Sequence, residues 1–236
     1  MNIHVIGPGV VGRATGEGFA RFGHNVVYTD KGSNGFHHLV HADVRFICTP
    51  EEVAPEIVRG LKTPGLVVIR SSVSPGTTVK LAQELNMELV HNPEFLREAV
   101  AEFEFMGSNF AILGLVKSSE PRWGIVAGLY KNMGKRVILC DATESELVKI
   151  TLNCYLATQI SFWNQVKLVA DRLGINSHRI ARLALNDRRV SRYGAVMHGR
   201  KYGLRCLPKD VQQMLSLGGR MPLIQAVMEI NEEVPV

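Results

Sequence analysis

The sequence predicts an α/β protein: a doubly wound parallel sheet followed by an all-helical domain built on a long central helix. Three observations carry this. Short apolar runs alternate with amphipathic segments through the first half of the chain, as strands and crossover helices do. After Cys140 the strand-like runs stop and helical periodicity takes over. The length of 236 residues with 46% hydrophobic content is enough to bury the core of one large or two modest domains, placed at 1–142 and 143–236.

In chain order, the strands are expected at the short apolar runs "NIHVIG", "NVVYTD", "VRFICT", "LVVIRS", "ELVHN", "FAILG" and "RVILCD". Helices fit between them at Val10 to Phe22, Glu51 to Leu61 and Thr77 to Leu85. In "HNPEFLREA" Asn92 reads as an N-cap with Pro93 at the first helical position, which sets Glu94 and Glu98 four apart on one face. The long helix opens with a Thr143/Glu146 capping box and stops at Gly174. Further helices are separated by breaks at "GINSH", in the Gly- and Arg-rich stretch Asp187 to Arg205, and at "LGGRMP".

Composition removes several function classes. No run of eighteen apolar residues and no secretion-signal order at the N-terminus is present, so a cytoplasmic protein without membrane segments is expected. The net charge of +5 suits a small anionic ligand, but the basic residues form no block that reads as a nucleic-acid stripe. Cys48, Cys140, Cys154 and Cys206 lack C-x-x-C spacing, which argues against zinc or a disulfide framework. His37 and His41 have helical ligand spacing without a third ligand nearby, and read as surface rather than metal site.

"GPGVVG" places Gly7, Gly9 and Gly12 in G-x-G-x-x-G spacing between a strand and a helix, with Asp30 ending the next strand. This is the Rossmann-type dinucleotide loop: a tight turn, close backbone approach to a pyrophosphate, and close packing of helix on strand. Asp30 would take ribose hydroxyls and repel a 2′-phosphate, favouring NAD over NADP. Lys149 and Asn153, four apart among apolar residues of the long helix, face either a polar cleft or a narrow solvated stripe. "CLPKD" reads either as helix punctuation or as a thiol, Cys206, activated by a helix N-terminus.

In their order along the chain these motifs resemble the UDP-glucose/GDP-mannose dehydrogenase family. "VIGPGVVG", "FICTP", "RSSVSPGTT", "NPEFLREA", "SELVKITLNCYLATQISFWNQ" and "CLPKD" are each similar to a family signature, over Met1 to about Glu233. The resemblance implies NAD-dependent oxidation of a sugar primary alcohol to a carboxylate, through a thiohemiacetal and a thioester on a cysteine. It implies Cys206 as nucleophile, Asp210 and Glu94 as acid/base partners, Lys149 and Asn153 as oxyanion stabilisers, and Ser72 in place of a water-holding threonine. Cofactor contacts are implied for Gly7, Gly9, Val10, Val11, Gly12, Asp30, Thr49, Pro50, Ser72 and Glu98. A homodimer through the long helix is expected, with Phe162, Trp163, Val166 and Val169 among its surplus apolar residues. The sequence departs from the pattern in three places: the family's third, nucleotide-gripping domain is not expected within this chain, the segment after Asp30 is short, and the glycine-rich stretch before the nucleophile is replaced by "GRKYGLRC". Arg200, Lys201 and Arg205 in that stretch would welcome an anion. Two alternatives remain: a β-hydroxyacid-type dehydrogenase with one hydride transfer, and a non-catalytic NAD-binding relative.

Overall fold

The computed structural model describes residues 1–30, 41–61, 65–117, 121–203 and 205–234. His37 lies outside the described residues. Two compact units, Met1–Lys149 and Ile150–Val236, share one long helix.

The first unit holds a seven-stranded sheet in the order β2-β1-β3-β4-β5-β6-β7. The strands are β1 Asn2–Ile6, β2 Asn25–Thr29, β3 Val44–Ile47, β4 Leu66–Ile69, β5 Leu89–His91, β6 Phe110–Leu115 and β7 Arg136–Asp141. Each of the seven predicted runs is a strand. β3 and β4 are buried along their whole length, because helices cover both faces of the sheet. Val44, Phe46, Leu66 and Val68 enter one core with Phe19, Phe105 and Tyr130. Ile47, Val67 and Ile69 enter the opposite core with Leu81 and Leu89, as a period of two requires.

The helices are α1 Val10–Ala20, α2 Ala54–Gly60, α3 Thr77–Leu85, α4 Ala101–Gly107 and α5 Trp123–Asn132. The sheet is parallel as expected except at one pair, where β6 runs antiparallel to β5. The chain between them forms an extended loop, a single 3-10 turn at Glu98–Val100 and the two-turn α4, and re-enters the sheet near the end from which it left, where Phe95 and Phe110 lie 6.0 Å apart.

Two local expectations are also corrected. No helix starts at Pro93. Asn92 is buried and takes hydrogen bonds from Arg70 and Tyr130 while its amide donates to the Ile112 carbonyl at 2.8 Å, so its side chain serves the sheet rather than a helix end. Glu94 and Glu98 therefore do not share a helical face. The capping box of the long helix also lies elsewhere. α6 spans Ala142–Arg172, and Glu144 reaches back to the Asp141 N–H at 2.9 Å. Glu146 instead accepts from the Gly76 and Thr78 N–H groups and the Thr78 hydroxyl at 2.6 to 2.8 Å, which closes the start of α3.

The second unit comprises Ile150–Arg172 of α6 with α7 Ser177–Ala184, α8 Arg192–Met197, α9 Cys206–Ser216 and α10 Pro222–Glu233. Gly174 has φ of 65° just past α6, the left-handed conformation that ends a helix. Asn176 and Ser191 cap α7 and α8. Ile150, Cys154, Ala157, Ile160, Tyr202, Val211 and Val227 form one core. Trp163, with Val166 against it, packs on Ala181 and Ala195 in another. Trp163 is thereby corrected as surplus surface, since it is spent within its own unit, whereas Phe162 and Val169 are exposed.

Candidate active site

In the first unit the carboxyl ends of successive strands gather the residues expected to hold a cofactor. β1 and β3 are neighbours although β2 lies between them in sequence, so the strand order reverses there and leaves a crevice above the sheet. Gly7 has φ of 89°, and a Cβ on it would lie 2.8 Å from Thr49 and 3.0 Å from the Cys48 backbone. A Cβ on Gly12 would lie 2.2 Å from the Gly7 carbonyl oxygen, so the helix start is held tightly on the strand end. Gly9, the N-cap of α1, has no atom within 4 Å of where its Cβ would be. Among the described residues nothing therefore crowds Gly9 at the positive end of α1, as anion binding at a helix N-terminus requires.

Val10 is exposed and Val11 half-buried in the first turn of α1, Asp30 is exposed just past β2, and Pro50 is exposed after β3. The Thr49 hydroxyl oxygen is buried and has no hydrogen-bond partner among the described residues. Ser72, half-buried, follows β4, and Glu98 is exposed in the 3-10 turn. The glycine cradle and the orphaned Thr49 hydroxyl fit a dinucleotide.

Lys149 is 5% exposed, which rejects the solvated stripe. Its ammonium donates to Glu94 Oε1 at 2.9 Å and lies 5.7 Å from the centre of the Phe95 ring, while Glu94 Oε2 accepts from the Leu96 N–H at 2.7 Å. His91, just before this loop, is pushed down to about 3, above all by burial, with the charges of Arg70 and Lys149 adding to it.

In the second unit Asn153, one turn after Lys149 along α6, donates to Asp210 Oδ2 at 2.5 Å, and Lys209 donates to Oδ1 at 2.5 Å. Asp210 is fully buried, and its carbonyl accepts from the Cys154 thiol at 3.5 Å. Cys206 is the first residue of α9, and Pro208 falls in the first turn, where an N–H has no helical partner to lose. Cys206 is exposed, Cys154 buried, and Cys48 and Cys140 half-buried. Burial drives the Cys48 thiol up to about 12 and Cys154 up to about 11, and raises Cys140 as well.

Sequence reasoning did not find the Arg70–Asn92–Tyr130 group or the part played by Glu146. An arginine ending the apolar run "LVVIR" was the one available signal for the first.

A Rossmann-type sheet with a glycine cradle at its strand-order reversal defines the first unit as one of the dinucleotide-binding class. Residues 37–134 match the model of the NAD binding domain, and residues 143–233 that of the central domain, of the UDP-glucose/GDP-mannose dehydrogenase family. The chain belongs to that family. It is 25% identical to a UDP-glucose 6-dehydrogenase of Bacillus subtilis, with 98% of this chain and 66% of that protein covered. With the UDP-glucose 6-dehydrogenase of Campylobacter jejuni it shares 34% identity over 70% of this chain and 43% of the relative. The chain thus spans less than two thirds of the length of these curated relatives. A solved UDP-glucose dehydrogenase from Pyrobaculum islandicum superposes with a TM-score of 0.83 at 27% identity, covering 98% of this chain and 68% of that one.

Proposed function

We propose that the protein is an NAD-dependent dehydrogenase that oxidises the primary alcohol of a nucleotide sugar, or of a related anionic sugar, to a carboxylate. The observation that carries this reading is the pair of buried, carboxylate-linked donors on consecutive turns of α6, Lys149 with Glu94 and Asn153 with Asp210. Burying four polar side chains costs stability that packing alone would not demand, and such groups are retained where a reaction uses them.

Gly7, Gly9, Val10, Val11, Gly12, Asp30, Thr49, Pro50, Ser72 and Glu98 would hold the dinucleotide, with Asp30 selecting NAD over NADP. When bound, NAD supplies the hydride acceptor. Loss of a first hydride from the alcohol carbon, with the hydroxyl proton passing to a carboxylate, gives an aldehyde. The Cys206 thiolate adds to its carbonyl carbon, forming a C–S bond and leaving an electron pair on oxygen. Lys149 and Asn153 donate hydrogen bonds to that oxyanion. Loss of hydride from the same carbon leaves a thioester on Cys206. Water then attacks the thioester, its proton passes to a carboxylate, Asp210 or Glu94, and the C–S bond breaks to return the thiolate.

The expected partner is a second copy of the chain, bound along α6. Val148, Tyr155, Phe162 and Val169 recur at intervals of seven residues and are 41% to 59% exposed, the pattern of an unpaired helical seam. The reading includes a cytoplasmic setting, and no described helix is long and apolar enough to cross a membrane.

NADH counted per substrate consumed, over a panel of UDP-, GDP- and phospho-sugars, tests the function. Two NADH support it, one points to the single-transfer hydroxyacid chemistry, and none to a binding protein.

A further inference from the structure

Beneath the loop that carries Glu94, the first unit contains a cavity of about 420 Å³ bounded by residues 92–96, α4, the start of β6, Tyr130, Arg70 and Lys135. Its walls are largely apolar and include the rings of Phe95, Phe105 and Phe110, with Phe103, 78% exposed, at the rim.

The charges in this cavity do not balance. Arg70 is 4% exposed and Lys135 5% exposed. Arg70 Nη1 donates to the Asn92 carbonyl oxygen and, at 2.7 Å, to the Tyr130 hydroxyl, both neutral, and its Nε has no partner. Lys135 donates to the carbonyls of Phe105 and Ser108, which closes the last turn of α4 but supplies only the partial charge of a helix end. The guanidinium and the ammonium lie 5.5 and 5.2 Å from the centre of the same Phe105 ring.

The two carboxylates of the cavity wall are engaged elsewhere. Glu94 is paired with Lys149, and both oxygens of Glu104 accept from Arg97. Among the described residues, neither Arg70 nor Lys135 has an ion-pair partner. A buried cation without a counter-charge is costly, and two beside one cavity more so, unless an anion enters.

We propose that this cavity binds a small organic acid, with its carboxylate at Arg70 and Lys135 and an aromatic-sized apolar body against Phe95, Phe105 and Phe110. An organic acid is favoured over inorganic phosphate because its apolar body is drawn to the largely apolar walls, which phosphate cannot use. The volume falls at the small end of ligand pockets and suits one ring with its acid group. The cavity shares its Glu94 wall with the proposed dehydrogenase chemistry, but Arg70 and Lys135, its anion-binding groups, take no part in that chemistry.

Calorimetric titration of the whole chain with benzoate, with benzyl alcohol as the uncharged match, tests the proposal. Saturable one-to-one binding of benzoate, at least tenfold tighter than the alcohol, is expected. Lys135→Met should weaken benzoate at least tenfold. Phe103→Glu, a change at an exposed rim position that leaves the core intact, should weaken it severalfold by placing a negative charge at the mouth. Absence of saturable benzoate binding, equal binding of the alcohol, or unchanged affinity in Phe103→Glu would each overturn it. If Lys135→Met does not fold, Phe103→Glu and the benzoate-to-alcohol ratio decide.

Discussion

Replacing Lys149 by Met removes one partner of an ion pair whose side chains are 6% and 10% exposed, and leaves the Glu94 carboxylate, among the described residues, with the Leu96 N–H alone. Breaking a buried pair from one side costs about 3–5 kcal/mol, because the remaining charge stays desolvated. Glu94 keeps one strong hydrogen bond, so the lower end, about 3 kcal/mol, is expected. Glu94→Gln should cost less, about 1–2 kcal/mol, since an amide oxygen can still accept from the ammonium. Lys149→Met combined with Glu94→Leu removes both charges and should fall within about 1 kcal/mol of the parent protein. Urea unfolding followed by circular dichroism reads these values. At a slope of about 2–3 kcal/mol/M, the Lys149→Met midpoint should drop by about 1 to 1.5 M. A drop below about 0.3 M, or a double variant as unstable as the sum of its single changes, would refute the claim that the pair is desolvated.

Brief alkylation of the folded protein at neutral pH should label Cys206 first, because the other three thiols are held up by burial; earlier label on Cys48, Cys140 or Cys154, read by peptide mapping, would sink the nucleophile assignment. Gly9→Ala should fold normally yet bind NAD at least tenfold more weakly, whereas Gly12→Ala should lose stability outright, since its Cβ would meet the Gly7 carbonyl oxygen; thermal midpoints and NAD titration separate the two outcomes. Acid should destabilise the first unit. His91 is held down to about 3 in the fold against 6.5 in the unfolded chain, so only the unfolded state takes up that proton as pH falls below 6.5. Stability is thus full above about pH 6.5 and lost towards pH 3, by about 2 kcal/mol from His91 by pH 5, with His4 acting in the same direction. Equal urea midpoints at pH 8 and pH 5 would contradict this.

The sequence by itself determined whatever depends on neighbours along the chain. The seven strands are apolar runs bounded by turn residues, α6 ends where Gly174 can take a left-handed conformation, and the spacing of Gly7, Gly9 and Gly12 sets a turn whose geometry follows from the missing side chains. Tertiary structure decided what depends on partners far away in sequence. Glu146 has the spacing of a cap for its own helix but closes α3, 68 residues earlier, because the exposed N–H groups of that turn compete for the same carboxylate. "NPEFLREA" carries helix-start residues, yet Asn92 is drawn into bonds with Arg70 and Tyr130 and the segment stays extended. Lys149 and Asn153 could have faced water or a cleft with the same spacing. Their burial is fixed by Glu94 and Asp210, 55 and 57 residues away, since a buried donor is tolerable only where folding brings an acceptor to it, and no local pattern records which acceptor that will be.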